Sequence, residues 1–383
     1  MLLKIMKREE SLLKSMLNNF KLDKLSNIQD SSKIIFVMLL LLCTGLIYCL
    51  AAGSMQALRV SDLEFYFLIK QLIACLIGAC LIVVACKIPL NFYRKLVFPV
   101  YVITVLMLLA VFFSHEINGS RRWLNFPIFS IQPSEFAKFT IILYLAHYLD
   151  KKNDEIKDLI KGFLPACILL GVIVLLILIE PDIGTSFLLA LVALSLFFIA
   201  GANTKHLLGI VSFCLPILIM LLFVGYRRER LFSFLNPWDY HNTSGYQLIQ
   251  SLISVGSGGI FGKGLGNSTQ KLYYLPEIHT DFVYAAIGEE LGFIGCLIIL
   301  LLVVYLFFLC LRSAERQKDN FKFLLIFGIS VMLVYPSFIH MAVVLGLMPT
   351  KGITLPFVSY GGSSLVVNMF FIGLILRSFK ELT

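Results

Sequence analysis

Residues 283–311 read VYAAIGEELGFIGCLIILLLVVYLFFLCL, and from Leu291 onward this stretch has no charged residue. A helix that crosses the hydrocarbon core of a bilayer needs about 20 mostly apolar residues. The stretch is therefore long enough to span a membrane. It predicts that lipid, rather than water, surrounds much of this chain.

The rest of the chain repeats the same pattern. Of its 383 residues, 59% are hydrophobic and only 14% are charged, whereas a soluble domain has about 25% charged residues. Ten predicted spans cover Ile34–Gly53, Tyr66–Cys86, Leu96–Ser114, Phe136–Tyr148, Pro165–Ile179, Thr185–Ala200, Leu207–Gly225, Val283–Leu311, Phe323–Leu347 and Pro356–Leu376. The sequence predicts an all-α polytopic membrane protein with about ten transmembrane helices.

The distribution of basic residues predicts the orientation of these spans. With the amino terminus inside, the inner segments carry 21 Lys and Arg and the outer segments carry 9, five of them in one long loop. Short loops rich in Lys and Arg stay in the cytoplasm. We therefore expect both termini to be cytoplasmic. The net charge of +9 is a sign of membrane topology and does not indicate nucleic-acid binding.

Two segments lie outside the predicted bundle. Residues 1–33 are polar and basic and lack the apolar core and cleavage site of a signal peptide, so we predict a cytoplasmic amino-terminal tail. Residues 34–379 form the predicted transmembrane domain. Within it, residues 226–281 form one long extracytoplasmic loop between the seventh and eighth spans. The apolar content of this loop predicts helices that lie on, or dip into, the outer membrane interface.

Several kinds of site are excluded by spacing. The glycines between positions 256 and 266 match neither a dinucleotide-binding nor a P-loop pattern, because Lys263 precedes a glycine. These glycines are typical of a tightly turning loop. The nine cysteines lie in or beside apolar stretches with no paired spacing, which favours buried thiols over zinc ligands or disulfides. The sequence predicts no organic cofactor, and it leaves any metal unknown.

Charged residues at or near membrane depth are the candidate functional groups, because each is costly there unless it is paired or hydrated. Six of them fall on the predicted outer side: Arg121, Arg122, Glu180, Asp182, Asp281 and Lys351. Cations beside one carboxylate could hold a pyrophosphate-linked lipid while the carboxylate acts on a hydroxyl. Purely structural roles remain open. The arginines could anchor the protein at the headgroups, Glu135 and Lys138 could pair on one face of a helix, and Asp281 could serve as a helix cap and nothing more.

Eight motifs occur in one order along the chain. They are Asn118–Trp123 (NGSRRW), Gln132–Lys138 (QPSEFAK), Pro181–Thr185 (PDIGT), Gly245–Gln247 (GYQ), Gly264–Ser268 (GLGNS), Leu275–Phe282 (LPEIHTDF), Gly288–Gly292 (GEELG) and Gly346–Ser364. In these motifs the chain resembles the SEDS family of wall-synthesis membrane proteins. The last motif contains Thr350-Lys351-Gly352 and resembles the division branch of that family more than the elongation branch.

The resemblance implies a peptidoglycan glycosyltransferase that polymerises lipid II during septal wall synthesis in the bacterial cytoplasmic membrane. It implies Asp281 as general base and undecaprenyl pyrophosphate as leaving group. It also implies that substrate is bound by some of Arg121, Arg122, Glu135, Lys138, Asp182, His279, Lys351 and Ser359. A divalent cation, Mg²⁺ or Mn²⁺, is implied as a cofactor.

The partners implied by the resemblance are a class B penicillin-binding transpeptidase and other membrane proteins of the division complex. Three alternatives remain at this stage. The same cationic, lipid-open site could serve a lipid II flippase, the chain could be a non-catalytic division scaffold, or it could be an elongation polymerase of the same family.

Overall fold

The computed structural model describes residues 27–51, 53, 64–114, 116, 120–125, 130–223, 226–268 and 275–382. Residues 1–26, which make up most of the predicted tail, lie outside the described residues. Residues 27–33 belong to the first helix.

Helices make up nearly all of the described structure. In chain order they are α1 (Asn27–Ala51), α2 (Tyr66–Lys87), α3 (Leu90–Lys95), α4 (Val97–Val111), α5 (Pro133–Lys151), α6 (Leu164–Ile179), α7 (Ile183–Ile199), α8 (Thr204–Leu222), α9 (Tyr226–Leu235), α10 (Tyr246–Gly258), α11 (Val283–Glu315), α12 (Asn320–Val344) and α13 (Gly362–Lys380). A π-helical turn (Leu159–Phe163) leads into α6, and a 3-10 turn (Pro237–Tyr240) follows α9. A two-stranded antiparallel hairpin pairs β1 (Leu124–Asn125) with β2 (Ser130–Ile131).

The predicted all-α membrane architecture is confirmed. Within the described ranges, six helices are long and apolar enough to cross a membrane, namely α1, α2, α6 with its preceding turn, α11, α12 and α13. The shorter apolar helices α4, α7 and α8, together with α5, account for the remaining four predicted spans. The last span begins at Gly362, later than the predicted Pro356, because residues 356–361 form a turn. The small hairpin was not predicted.

The helices fall into an inner and an outer group. We compared the share of residues buried inside the protein over an 18-residue apolar stretch of each helix. This share is 78% for α12 and 72% for α13 but only 17% for α2. The outer face of α2 is therefore turned to lipid. Its inner face packs tightly on α13, where an added Cβ at Gly373 would come within 2.8 Å of the Ala85 Cβ. Small residues allow such close approach between helices in membranes.

The long helix α11 is broken at Gly292, whose φ of 65° and ψ of −161° are not helical. The glycine-rich loop after α10 packs into this break, since Phe293 N–H donates to the Gly259 carbonyl and Gly264 N–H to the Glu290 carbonyl. A side chain at Gly262, where φ is +79°, would place its Cβ 2.1 Å from the Glu290 carbonyl oxygen. The glycines are thus required by backbone contact.

Two buried carboxyl groups lie beside the break. Glu289 accepts from Lys263 Nζ at 2.7 Å and from Ser268 Oγ at 2.5 Å, and Glu290 accepts from the Gly266 N–H at 3.1 Å. These bonds tie the loop after α10 to the first turns of α11. They fix the start of α11, which follows closely after Asp281. The helices predicted in the long outer loop are present as α9 and α10.

Candidate functional site

Asp281 lies in a turn just before α11. Its backbone N–H donates to the Glu277 carbonyl at 2.9 Å, and the Thr280 hydroxyl also donates to that carbonyl, at 3.1 Å. The residue that caps α11 is Phe282, and no side chain makes a capping hydrogen bond there. The Asp281 carboxylate is therefore not used as a helix cap. It is left available for another role.

The carboxylate of Asp281 lies against Gly352. A Cβ added to Gly352 would come within 3.0 Å of Asp281 Oδ2. Burial raises the pKa of Asp281 to about 6, and the negative charge of Glu277 adds to the increase, while the Thr280 hydroxyl and Arg230 oppose it. A carboxyl group with this pKa is mostly ionised at neutral pH and is a stronger base than an ordinary Asp.

Gly352 also lines a cavity of about 90 Å³. Three cations line the same cavity: Arg122, Arg230 and Lys351. Asp182 is the acidic lining residue, and the rest of the wall is formed by Pro181, Ile183, Gly184, Leu231, Pro349 and Thr350. We call this space the cationic cavity. Because Gly352 separates it from Asp281, a carboxylate base lies at the edge of a positively charged space.

Arg122 is held in place by the end of α6. Its Nη2 donates to the Pro181 carbonyl at 2.7 Å, and its Nε donates to the Glu180 carbonyl at 3.1 Å. An arginine has five N–H donors, so these two bonds fix the guanidinium and leave further donors for an anion. This arrangement orients a positive charge before any ligand binds.

Lys351 and Asp182 both line the cationic cavity. Burial lowers the pKa of Lys351, and the charge of Asp182 opposes that change. Asp182 is also the N-cap of α7, where its carboxylate accepts from the Thr185 N–H at 3.1 Å and from the Thr185 hydroxyl at 2.8 Å. The cap keeps Asp182 in position, and the partly desolvated Lys351 favours an incoming anion.

Glu180 lies next to this site and is 1% exposed. Neither of its carboxylate oxygens has a hydrogen-bond partner among the described residues. Burial raises its pKa to about 8; the nearby Asp182 raises it further and Arg122 lowers it. Glu180 is therefore mostly neutral at pH 7, and Asp182 is the acidic residue that lines the cavity.

The other predicted substrate-binding residues do not line the cationic cavity. Arg121 is exposed, and its guanidinium donates to the Phe112 carbonyl at 2.9 Å. Glu135 and Lys138 form a buried pair at 2.6 Å within α5. Ser359 is buried, and its hydroxyl accepts from the Leu355 N–H at 2.9 Å, so it stabilises the turn before α13.

His279 is close to Asp281 in sequence but belongs to an aromatic cluster. Its ring lies 4.7 Å from that of Phe67 and 5.5 Å from that of Tyr360, measured between centroids. Burial lowers the pKa of His279 to about 4. The Tyr360 N–H donates to the His279 carbonyl at 2.9 Å. A neutral His279 thus fixes the turn that carries Asp281 against α2 and the segment before α13.

Arg230 and Gly352 were not identified from the sequence as site residues. Arg230 belongs to α9, in the long outer loop, where it was counted only as one of five basic residues. Gly352 was named only within a motif. No signal in the sequence distinguished Arg230 from the other basic residues of this loop, because only the folded loop brings it to the cavity that Arg122 and Lys351 line.

Comparison with known proteins assigns the chain to a family. The model of the FtsW, RodA and SpoVE family, described as "Cell cycle protein", matches residues 31–382. A protein of Geobacter metallireducens named "Probable peptidoglycan glycosyltransferase FtsW" is 40% identical over 364 residues, which is 94% of this chain and 97% of that protein. A protein of Coxiella burnetii with the same name is 41% identical over 90% of this chain and 94% of its own length.

Solved structures show the same fold. One, described as "Structural coordination of polymerization and crosslinking by a peptidoglycan synthase complex", has a TM-score of 0.75 and 25% identity and covers 91% of this chain and 97% of the other. RodA of Thermus thermophilus has a TM-score of 0.68 and 24% identity over 91% and 96% of the two chains. With the sequence relatives, these matches lead to one conclusion: the chain is a multi-pass membrane protein that belongs to the SEDS family, the family of FtsW, RodA and SpoVE.

Proposed function

We propose that this chain is a peptidoglycan glycosyltransferase that polymerises lipid II at the outer face of the cytoplasmic membrane. The observation that carries the proposal is the position of the Asp281 carboxylate, which lies against Gly352 at the edge of the cationic cavity. A base beside a cluster of cations fits a substrate that has a reacting hydroxyl and a pyrophosphate leaving group. The curated FtsW relatives, which cover most of the chain, support the same reaction.

In the proposed reaction, Asp281 accepts the proton of the acceptor sugar's 4-hydroxyl. The resulting oxygen attacks the anomeric carbon of the donor, and the bond from that carbon to the pyrophosphate oxygen breaks with inversion. The electron pair of the broken bond leaves with undecaprenyl pyrophosphate. A pKa of about 6 suits this role, because the carboxylate is ionised at neutral pH yet basic enough to take a proton.

A single carboxyl group is sufficient for this reaction. Glycosidases need a second carboxylic acid because they expel an alcohol, which must be protonated. A pyrophosphate leaves as a stable anion and needs positive charge instead. Arg122, Arg230 and Lys351 line the cavity where that charge would develop. Because Arg122 is already oriented by two carbonyl groups, little reorganisation is needed during the reaction.

A divalent cation fits this site only together with the substrate. Among the residues that the structure describes, no group of three or more His, Cys, Asp or Glu side chains could hold a metal ion. Mg²⁺ is often bound by one or two carboxylates and the phosphates of a substrate. Asp182 is the carboxylate that would share the ion with the pyrophosphate. When bound, the ion would supply further positive charge to the leaving group.

The partners and the cellular position follow from the same proposal. We propose that the chain works with a class B penicillin-binding transpeptidase and other division proteins at the septum. The similarity to a chain from a peptidoglycan synthase complex supports the transpeptidase partner. The FtsW relatives support the septal position over a role in elongation.

The proposal is tested with purified protein and fluorescently labelled lipid II. Wild-type protein is expected to produce glycan strands, and Asp281→Ala is expected to produce none while keeping the wild-type elution profile and melting temperature. Asp239→Asn, which removes an exposed acid of the same outer loop, is the matched control and should remain active. Polymerisation by Asp281→Ala at the wild-type rate would refute the role of Asp281. Transport of lipid II without polymerisation by the wild type would instead support a flippase.

A further inference from the structure

The segment that carries Lys351 and Gly352 has no helical or strand structure of its own. It comprises residues 349–353, between α12 and the turn before α13, and we call it the Lys351 turn. The backbone bends sharply there, because the Ile353 N–H donates to the Lys351 carbonyl at 3.0 Å. Contacts from neighbouring helices must therefore hold this turn in place.

One such contact comes from His340 in α12. His340 is 1% exposed and lies four residues before the helix ends at Val344. Its ring nitrogen Nδ1 is 2.8 Å from the Ile353 carbonyl oxygen. A carbonyl oxygen can only accept, so Nδ1 carries the proton and donates it. Among the residues that the structure describes, His340 is the one side chain that hydrogen-bonds to residues 349–353.

The side chain of Ile353 holds the turn on its other side. Ile353 is 8% exposed, and a Cβ added to Gly184 would lie 3.4 Å from its Cγ1. The same Cβ would lie 3.6 Å from Asp182 Oδ1, so Ile353 packs against the start of α7 beside a residue of the cationic cavity. The backbone of Ile353 is thus bonded to α12 while its side chain contacts α7. Gly352, the preceding residue, is held with it.

We propose that His340 is a positioning residue for lipid II polymerisation. Its bond to the Ile353 carbonyl fixes the turn that carries both Gly352 and Lys351. Gly352 lies against the carboxylate of the proposed base, and Lys351 brings a cation to the cavity. His340 acts through the turn and is not itself a reacting group. The inference rests on the proposed function, because the turn matters to the reaction only if Asp281 is the base.

Loss of this bond is expected to change the reaction in two ways. A displaced turn misplaces the base and the cation, and displacement of a reacting group by an ångström can cost about a hundredfold in rate. It also lets water reach Asp281, whose pKa is raised to about 6 mainly by burial. Less burial lowers this pKa, so the acidic limb of the pH–rate profile should move to lower pH. Glu277 and Arg230, whose charges also act on the pKa of Asp281, stay unchanged.

Steady-state kinetics of the purified full chain with labelled lipid II, measured over a range of pH, test the proposal. His340→Leu is expected to lower kcat by about three- to tenfold and to shift the acidic limb to lower pH. His340→Asn should restore both, because its amide nitrogen is bonded to Cγ, as Nδ1 is, and can donate to the same carbonyl. His340→Gln places the amide one carbon further out and should not restore them.

Ser337→Ala is the matched control. Ser337 is buried on the same helix, and its hydroxyl donates to the Leu333 carbonyl at 3.3 Å, within α12. Its removal should leave both kcat and the acidic limb unchanged. A purely structural role of His340 would lower the melting temperature of His340→Leu without moving the acidic limb, and that result would overturn the proposal.

A second measurement tests the bond without kinetics. In protein that contains ¹⁵N-labelled histidine, the His340 signals are identified by their absence from His340→Asn. They are expected to show a protonated Nδ1 and an unprotonated Nε2. The opposite tautomer would overturn the proposal, because its Nδ1 has no hydrogen to donate to Ile353.

The kinetic outcomes separate this inference from the proposed function. An active wild type with an unchanged kcat and limb in His340→Leu would overturn the inference alone, as would a His340→Asn variant as slow as His340→Leu. If His340→Leu does not fold, equal rates for His340→Asn and His340→Gln would overturn it instead. A wild-type chain that makes no glycan strands would overturn the proposed function, and this inference with it.

Discussion

The carboxylate of Asp281 lies so close to Gly352 that a Cβ on Gly352 would approach Asp281 Oδ2 to 3.0 Å. Gly352 comes from the segment between α12 and α13, whereas Asp281 precedes α11. The contact therefore joins the proposed base to the segment that carries Lys351. It makes the position of the base sensitive to the smallest possible change at Gly352.

Replacing Gly352 by Ala is expected to slow lipid II polymerisation by about three- to fivefold, because the Asp281 carboxylate must give way by a few tenths of an ångström, and displacement of a reacting group by a full ångström can cost about a hundredfold in rate. The rate is measured with labelled lipid II, and the melting temperature is measured in parallel. Gly361→Ala is the matched control, since its nearest neighbour would be 3.5 Å away. Equal rates for the two variants would show that the contact with Asp281 has no effect on the reaction.

The cationic cavity leads to a prediction about three arginines. Arg122→Gln and Arg230→Gln should each raise the apparent KM for lipid II or lower the polymerisation rate, because both side chains line the cavity. A charge-assisted hydrogen bond to an anion contributes about 1.5–3 kcal/mol, so effects of about tenfold or more are expected. Arg121→Gln should have a much smaller effect, because Arg121 contacts the Phe112 carbonyl instead. A larger effect at Arg121 would contradict this placement of the pyrophosphate.

The rate of polymerisation should depend on the ionisation of Asp281. A base must be deprotonated, and burial raises the pKa of Asp281 to about 6. The rate is therefore expected to fall as the pH drops through about 6, well above the ordinary pKa of 3.8. Glu277→Gln removes a negative charge that raises the pKa of Asp281 and should shift this limb to lower pH, by a small amount because an exposed charge is screened. If the wild-type rate instead fell only near pH 4, the base would not be a buried carboxyl group.

Glu180 should make stability depend on pH. Its pKa rises from 4.5 to about 8 on folding because it is buried, so the folded chain binds this proton more tightly than the unfolded chain. The resulting stabilisation is complete below pH 4.5 and is lost as the pH rises through about 8. Glu180→Gln cannot ionise, so its melting temperature relative to wild type should increase with pH. Parallel pH curves for the two proteins would contradict the burial of Glu180, and Glu315→Gln, at an exposed site, is the control.

The membrane spans could be predicted from sequence because each satisfies a requirement of the bilayer locally. An apolar run is visible without knowledge of its neighbours, and all ten predicted spans correspond to described helices, six of which are long and apolar enough to cross a membrane. The break in α11 was not predicted, because Gly292 reads as an ordinary glycine in a helix until the loop around Gly262 packs against it. Such contacts depend on chain segments that are far apart in sequence.

The candidate site was predictable only in part. Asp281, Arg122, Asp182 and Lys351 carry charge at the edge of membrane spans, and that cost marks them in the sequence. In the structure Arg122, Asp182 and Lys351 line one cavity, and Asp281 lies beside it, against Gly352. The equally charged Arg121 lies on another surface, one residue from Arg122, since adjacent residues point in different directions. Arg230 was missed because its approach depends on the path of a long loop.

A structure of this chain with undecaprenyl pyrophosphate bound tests the position of Asp281 beside the leaving group most directly. We predict pyrophosphate density in the cationic cavity, within hydrogen-bond distance of Arg122, Arg230 or Lys351, and next to the Asp281 carboxylate. Pyrophosphate density on the cytoplasmic side of the bundle, or at an outer surface separated from Asp281, would contradict it.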